Sequence, residues 1–185
     1  MGIPPSFYFP LLNFPVILSP MQRFTLSIVS ICAVFLAGCK PSAPGSALIG
    51  KPIQIQFEAV DGRQVDLARL RGKVVLIDFW ATWCPPCVKE VPAVKAAYEK
   101  FHPRGFEVIG ISLDDKKQDL LSFVNEHKIQ WSQYFDGLGA DTKFAKQFGI
   151  VEIPTFWLVD KQGTLRDIEG TENLAQKVEK LLAEP

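Results

Sequence analysis

The stretch that most constrains this chain is residues 74–92, VVLIDFWATWCPPCVKEVP. An apolar run over 74–80 ends in a short turn, cysteines follow at 84 and 87, and the pattern then turns helical. A continuous run rich in Val, Ile and aromatic residues predicts a central strand buried on both faces. A strand that hands a Cys-x-x-Cys pair to the mouth of a helix points to reversible dithiol–disulfide chemistry. The unpaired N–H groups and dipole of a helix N-terminus favour a thiolate, the species that attacks disulfides. Cys84 is the expected nucleophile. Cys87, one turn along and expected to be less exposed, is the resolving thiol. Static alternatives are a structural disulfide or two zinc ligands. A lone Cys-x-x-Cys is only half of a four-ligand zinc site, and no second Cys/His pair is spaced to complete it. No metal is expected, and the redox-active disulfide itself takes the place of a cofactor.

Pro85 and Pro86 carry no N–H, so Cys87 and Val88 offer the first donors within reach of the Cys84 sulfur. Fewer donors leave a thiolate less stabilised, which favours a reducing couple. Asp78 lies in the middle of the apolar strand, six residues before Cys84. A carboxylate there is costly unless paired or protonated, so its pKa should rise. Glu90 follows Cys87 by three residues and falls on the same helix face. An acidic residue in a first helical turn also simply suits the dipole. Pro92 should kink this helix.

The rest of the chain supports one domain. With 185 residues, 48% of them hydrophobic, there is enough material for a real core. Twenty basic residues balance twenty acidic ones, which argues against nucleic acid as a partner. Ile53, Ile55 and Phe57 alternate with polar residues, Asp61-Gly62 supplies a turn, and Val65 continues a second strand, giving an N-terminal β-hairpin. Val88, Val91, Val94, Ala97, Tyr98 and Phe101 form a 3.6-period face that stops near His102-Pro103. Further strands are predicted over 106–113, 155–159 and 164–168, the last two joined by Lys161-Gln162-Gly163. Helices are predicted from about Lys116, over 141–148 and over 173–182. The fold class is α/β, a mixed central sheet with helices on both faces. Trp80, Trp131 and Trp157 read as core, and His102 and His127 as helix-end or solvent-facing residues.

The first 48 residues read as an address. Residues 21–38 combine Arg23, an apolar run over 24–36 and small residues, the layout of an export signal. The run is too short to span a bilayer comfortably. Leu36-Ala37-Gly38-Cys39 resembles the lipobox of bacterial lipoproteins, which implies cleavage before Cys39 and its acylation, and so attachment to a membrane through a lipid anchor. The alternative is an ordinary membrane anchor with Cys39 incidental. Residues 1–20 carry five prolines and no charge, which suggests an extension ahead of a true start at Met21. Residues 39–48, rich in Pro, Ser, Gly and Ala, form a tether, and residues 49–185 the folded domain.

Residues 79–87, FWATWCPPC, resemble the active-site segment of the thioredoxin superfamily. Ile153-Pro154-Thr155 resembles that fold's cis-proline loop. The combination is most similar to the membrane-tethered branch of TlpA, ResA and CcmG-type proteins, with its lead-in strand pair, its Gly72-Lys73-Val74-Val75 entry and its insertion around 114–135. The resemblance covers roughly residues 49–182. It implies a thioredoxin fold, a cis Pro154 facing Cys84, and a partner-binding surface that includes Trp83, Pro85, Pro86, Ile153 and Pro154. It also implies that Asp78 exchanges a proton with Cys87 and that Glu90 lies near the active site. Its clients would be thiols and disulfides of exported proteins, apocytochrome c among them, and its electrons would come from a membrane donor of the DsbD/CcdA type. Three alternatives stay open. A disulfide oxidase or isomerase on the same fold differs in potential, and a peroxiredoxin-like peroxidase lacks its Pro-x-x-x-Thr-x-x-Cys pattern at Cys84. A Sco-like copper-binding module would need a downstream histidine, for which His127 is the distant candidate.

Overall fold

The computed structural model describes residues 45–168 and 170–185. The expected extension, signal segment, Cys39 and most of the tether lie outside the described residues. Ser46–Leu48 forms a single 3-10 turn. Leu48 packs against the core, so the last residues of the expected tether belong to the folded part.

The alternation of Ile53, Ile55 and Phe57 holds, with all three buried and their polar neighbours exposed. It yields β1 (Gln56–Glu58), paired antiparallel with β2 (Gln64–Asp66), Phe57 opposite Val65. This hairpin is a separate two-stranded sheet. A 3-10 turn, Leu67–Leu70, leads on to β3 (Val74–Trp80). All seven residues of β3 are buried. Because successive side chains point to opposite faces, a wholly buried strand must be covered on both sides. Each fully buried large apolar side chain there contributes about 1.5–3 kcal/mol relative to exposure.

Helix α1 (Pro85–Phe101) follows, then β4 (Phe106–Ser112) and helix α2 (Lys117–Glu126). Prolines at its first positions suit α1, because those N–H groups would have no intrahelical partner. Its buried face is Cys87, Val91, Val94, Ala97, Tyr98 and Phe101. Val88, expected on that face, is only half-buried. Pro92 sits on the exposed side, and the helix runs through it as one element to Phe101. His102 and His127 follow the C-termini of α1 and α2, their rings stacked on Tyr98 and Phe123.

Next come β5 (Ser132–Tyr134), the short helix α3 (Lys143–Phe148), the hairpin β6 (Thr155–Val159) and β7 (Leu165–Asp167), and helix α4 (Leu174–Ala183). The five-stranded sheet runs β5-β4-β3-β6-β7. β3 is parallel to β4 and antiparallel to β6, so the sheet is mixed. Trp80, Trp131 and Trp157 are all in the core.

Strand β5 is absent from the sequence-based expectations, for a physical reason. Its one buried side chain is polar, Gln133, so no apolar alternation marks it. Gln133 lies over Gly110 of β4, where any Cβ would collide with its carboxamide. There its Oε1 accepts a hydrogen bond from Trp80 Nε1 at 3.0 Å. A Gln133→Ala variant strands that buried indole N–H, which costs about 1–3 kcal/mol. Urea unfolding followed by tryptophan fluorescence should show a stability loss of that size as a lower midpoint, and an unchanged midpoint would refute the assigned role.

Candidate active site

The parallel pairing of β3 with β4 places the carboxyl ends of both strands at one edge of the sheet. The chain leaves β3 there through a four-residue turn, closed by Cys84 N–H donating to the Ala81 carbonyl at 3.2 Å. Cys84 is the N-cap of α1, in extended conformation, and its sulfur is bonded to Cys87. Cys87 N–H donates to Cys84 Sγ at 3.2 Å. The Val88 N–H, expected to compete for that sulfur, instead donates to the Cys84 carbonyl at 3.1 Å as the first full helical turn requires. One backbone donor therefore faces the nucleophile.

The expected difference in exposure between the cysteines is absent. Cys84 is 4% and Cys87 3% exposed. Trp83 beside it is 58% exposed, an unusual position for an indole outside a docking surface. Pro85 and Pro86 are exposed on the same turn.

The Ile153–Pro154 bond is cis. The loop carrying it is fixed at one end by Ile150 N–H donating to the Ala145 carbonyl, and at the other by the Thr155 hydroxyl donating to the Glu152 carbonyl. An open groove of about 590 Å³ is lined by Trp83, Leu113, Ala145, Val151 and Ile153 among others. Trp83 and Ile153 are thus brought to one concave surface, with the exposed Val151 on its wall.

Asp78 is buried in the middle of β3, and its Oδ1 meets no hydrogen-bond donor among the described residues. Burial pushes its carboxyl up to about 8 from the ordinary 3.8, and the charge of Glu90 adds to the rise. Glu90 is itself held by the Thr171 hydroxyl, which donates to Glu90 Oε2 from the loop ahead of α4. Sequence reasoning missed Thr171, since nothing in the local pattern links it to a helix 81 residues away. It also missed Asp114, whose carboxylate receives the Thr82 backbone N–H at 3.0 Å. Among the described residues no group of three or more His, Cys, Asp or Glu is placed to hold a metal ion. His127 Nδ1 lies 3.1 Å from the Phe123 carbonyl oxygen within its own helix end.

Two sulfurs at a helix N-terminus, beside an exposed aromatic groove, form an arrangement that can support thiol–disulfide exchange. The fold around them is that of thioredoxin-like oxidoreductases. The chain belongs to the AhpC/TSA family, whose sequence profile matches residues 49–168. It is similar to the thiol–disulfide oxidoreductase ResA of Bacillus thuringiensis subsp. konkukian, 31% identical over 66% of this chain and 69% of that one. ResA of Bacillus subtilis is 27% identical over 62% and 63% of the two chains. Among solved structures, the thioredoxin domain of a thiol–disulfide oxidoreductase from Bacteroides vulgatus superposes with a TM-score of 0.65 at 31% identity, covering 72% of this chain and 97% of that one. A putative thiol:disulfide interchange protein DsbE from Chlorobium tepidum gives 0.63 at 27%, covering 71% and 95%. The protein is a thiol–disulfide oxidoreductase of the ResA/DsbE type.

The raised Asp78 pKa makes stability depend on pH. Folded, the carboxyl keeps its proton up to about 8, whereas in the unfolded chain it loses it near the ordinary 3.8. The folded state therefore binds more protons between these values, and stability falls as pH rises through that window, by at most about 1.4 kcal/mol per pH unit. Asp78→Asn removes this contribution. Urea titrations from pH 4 to 8 should show a flatter stability profile for the variant and a higher stability at pH 8; parallel profiles would refute the shift.

Proposed function

We propose that this oxidoreductase works outside the cytoplasm, attached to a membrane through a lipid on Cys39, and reduces disulfides of exported proteins. The export-signal layout of residues 21–38 and the Leu-Ala-Gly-Cys ending support the location. The observation that carries the direction is the single backbone donor, the Cys87 N–H, at the Cys84 sulfur. A couple becomes oxidising when its thiolate, and so its reduced form, is strongly stabilised. Two prolines remove the N–H groups that would do this, which leaves the reduced form readier to give up electrons.

In the proposed cycle the Cys84 thiolate attacks one sulfur of a client disulfide. A Cys84–client disulfide forms, the client S–S bond breaks, and the second client sulfur leaves as a thiolate. Cys87 then loses its proton and attacks Cys84 Sγ, closing the intramolecular disulfide and releasing the first client sulfur. Two electrons pass to the client. Asp78 in its ionised form, populated as the pH approaches its raised pKa of about 8, is the proton acceptor for Cys87. Glu90 contributes by holding the Asp78 pKa up. Apocytochrome c is one client that fits this chemistry, and a membrane dithiol donor of the DsbD/CcdA type would restore the dithiol.

With Asp78→Asn, Cys87 has no internal acceptor, and resolution should slow about 10²-fold or more while the first attack is little changed. Quenched-flow trapping with a disulfide peptide should then show the mixed disulfide accumulating; equal slowing of both steps would refute the assignment. The direction is tested by the reduction potential of Cys84–Cys87, equilibrated against dithiothreitol. A value near thioredoxin's, about −270 mV, agrees with a reductase. A value near DsbA's, about −120 mV, makes the protein a disulfide donor and overturns the proposal.

A further inference from the structure

Asp114 stands just beyond the end of β4 and is 1% exposed, as is Ser112 two residues before it. A helix is ordinarily capped by a short polar side chain immediately ahead of it that accepts its first amide protons. Here the α2 N-cap is Lys116, which makes no side-chain cap hydrogen bond, and the Asp114 carboxylate is engaged elsewhere. Its Oδ1 accepts from both the Thr82 N–H, at 3.0 Å, and the Thr82 hydroxyl, at 2.6 Å. Its Oδ2 accepts from the Ser112 hydroxyl at 2.7 Å, and that same hydroxyl oxygen accepts the Asp114 N–H at 3.1 Å. The parallel ladder between β3 and β4 ends with Leu113 N–H donating to the Trp80 carbonyl. Asp114 therefore bridges the two strands one step past the point where their backbone pairing stops.

We propose that Asp114 is a positioning residue for thiol–disulfide exchange, clamping Thr82 so that the turn over residues 81–84 presents Cys84 and the exposed Trp83 in one fixed arrangement to the incoming disulfide. Thr82 is two residues from the nucleophile, and it is the backbone N–H of Thr82, not only its side chain, that Asp114 holds. Trp83 and Leu113, the residues adjoining the two ends of this clamp, line the same groove. Released, the turn keeps its Cys84 N–H to Ala81 carbonyl bond but loses its side-chain tie to the end of β4. Reacting groups held loosely lose much of the advantage of orientation, and a misplacement of about 1 Å can cost about 10²-fold in rate. The inference rests on the thiol–disulfide assignment alone and holds for either direction of electron flow.

The test uses the full chain with Cys32→Ser and Cys39→Ser, so that Cys84 and Cys87 are its only thiols, reduced, and 5,5′-dithiobis(2-nitrobenzoate) as the disulfide. Cys84 attack breaks the reagent S–S bond and releases one thionitrobenzoate; closure of Cys84–Cys87 releases the second, so each step is read as absorbance. Asp114→Ala should lower the second-order rate constant of the first step about tenfold or more. Asp114→Asn keeps an Oδ1 acceptor for both Thr82 donors and an amide that can donate to Ser112 Oγ, so it should restore the rate to within about threefold of the parent. Thr82→Val fills the same volume and leaves the backbone donor in place, so it should fall between the two; it carries the test if Asp114→Ala does not fold. A lowered urea midpoint with an unchanged rate constant would make the cluster merely structural and overturn the proposal. An Asn variant as slow as the Ala variant would also overturn it, because charge rather than the held turn would then be responsible. Failure of the parent chain to react would instead count against the enzyme assignment.

Discussion

The seven-residue register between β3 and β4 is the constraint on which the rest of the site depends. Parallel strands need a crossover rather than a hairpin, and here α1 supplies it. Both strands then end at the same edge of the sheet, one delivering the 81–84 turn and the other the 112–114 segment. Ligand and reaction sites of open α/β sheets lie at such carboxyl edges because loops of separate strands converge there without further design. The buried apolar run of β3 is therefore a structural device with a chemical consequence: it fixes where Cys84 sits by fixing where the strand must stop.

Burial on both faces also creates the one polar conflict in that strand. Asp78 is the one polar residue of that strand, and nothing described pairs with its Oδ1. A carboxylate left ionised there would cost several kcal/mol, so it holds a proton instead. Glu90, tethered to Thr171, adds like charge and keeps the proton in place. A stability optimum would have put an apolar residue at this position; a group that takes and returns a proton near neutral pH needs this kind of environment.

Much of the fold was legible because its signals are strong and local. The 74–80 run, the 3.6-period face of α1 and the hairpin before it each match a simple burial pattern, and their bounds agree with the structure to within a few residues. The site was legible where chemistry is concentrated in neighbouring residues, as in Cys84-Pro85-Pro86-Cys87. It was illegible where function depends on residues far apart in sequence. β5 hides because a glutamine, not an apolar side chain, faces inward at its centre. Val88 looked like a donor to the nucleophile because spacing alone does not say that helix geometry claims its N–H first. Thr171 and Asp114 carry no pattern at all. Their partners lie 81 and 32 residues away, and only the folded chain brings them together.

Two buried carboxylates flank the same active-site turn, and their surroundings give them opposite tasks. Asp78 faces apolar neighbours and the charge of Glu90, so its useful property is a proton held with moderate strength. Asp114 faces two hydroxyls and a backbone N–H, so its useful property is its capacity to accept several hydrogen bonds at once. Exchanging these environments would defeat both: donors around Asp78 would lower its raised pKa, and an unpaired carboxyl cannot hold a turn. Proton handling and geometric control of Cys84 are thereby assigned to separate side chains, one on each of the two paired strands or just beyond its end. Such a division lets the 81–84 turn stay fixed while the charge state of the site changes through the catalytic cycle.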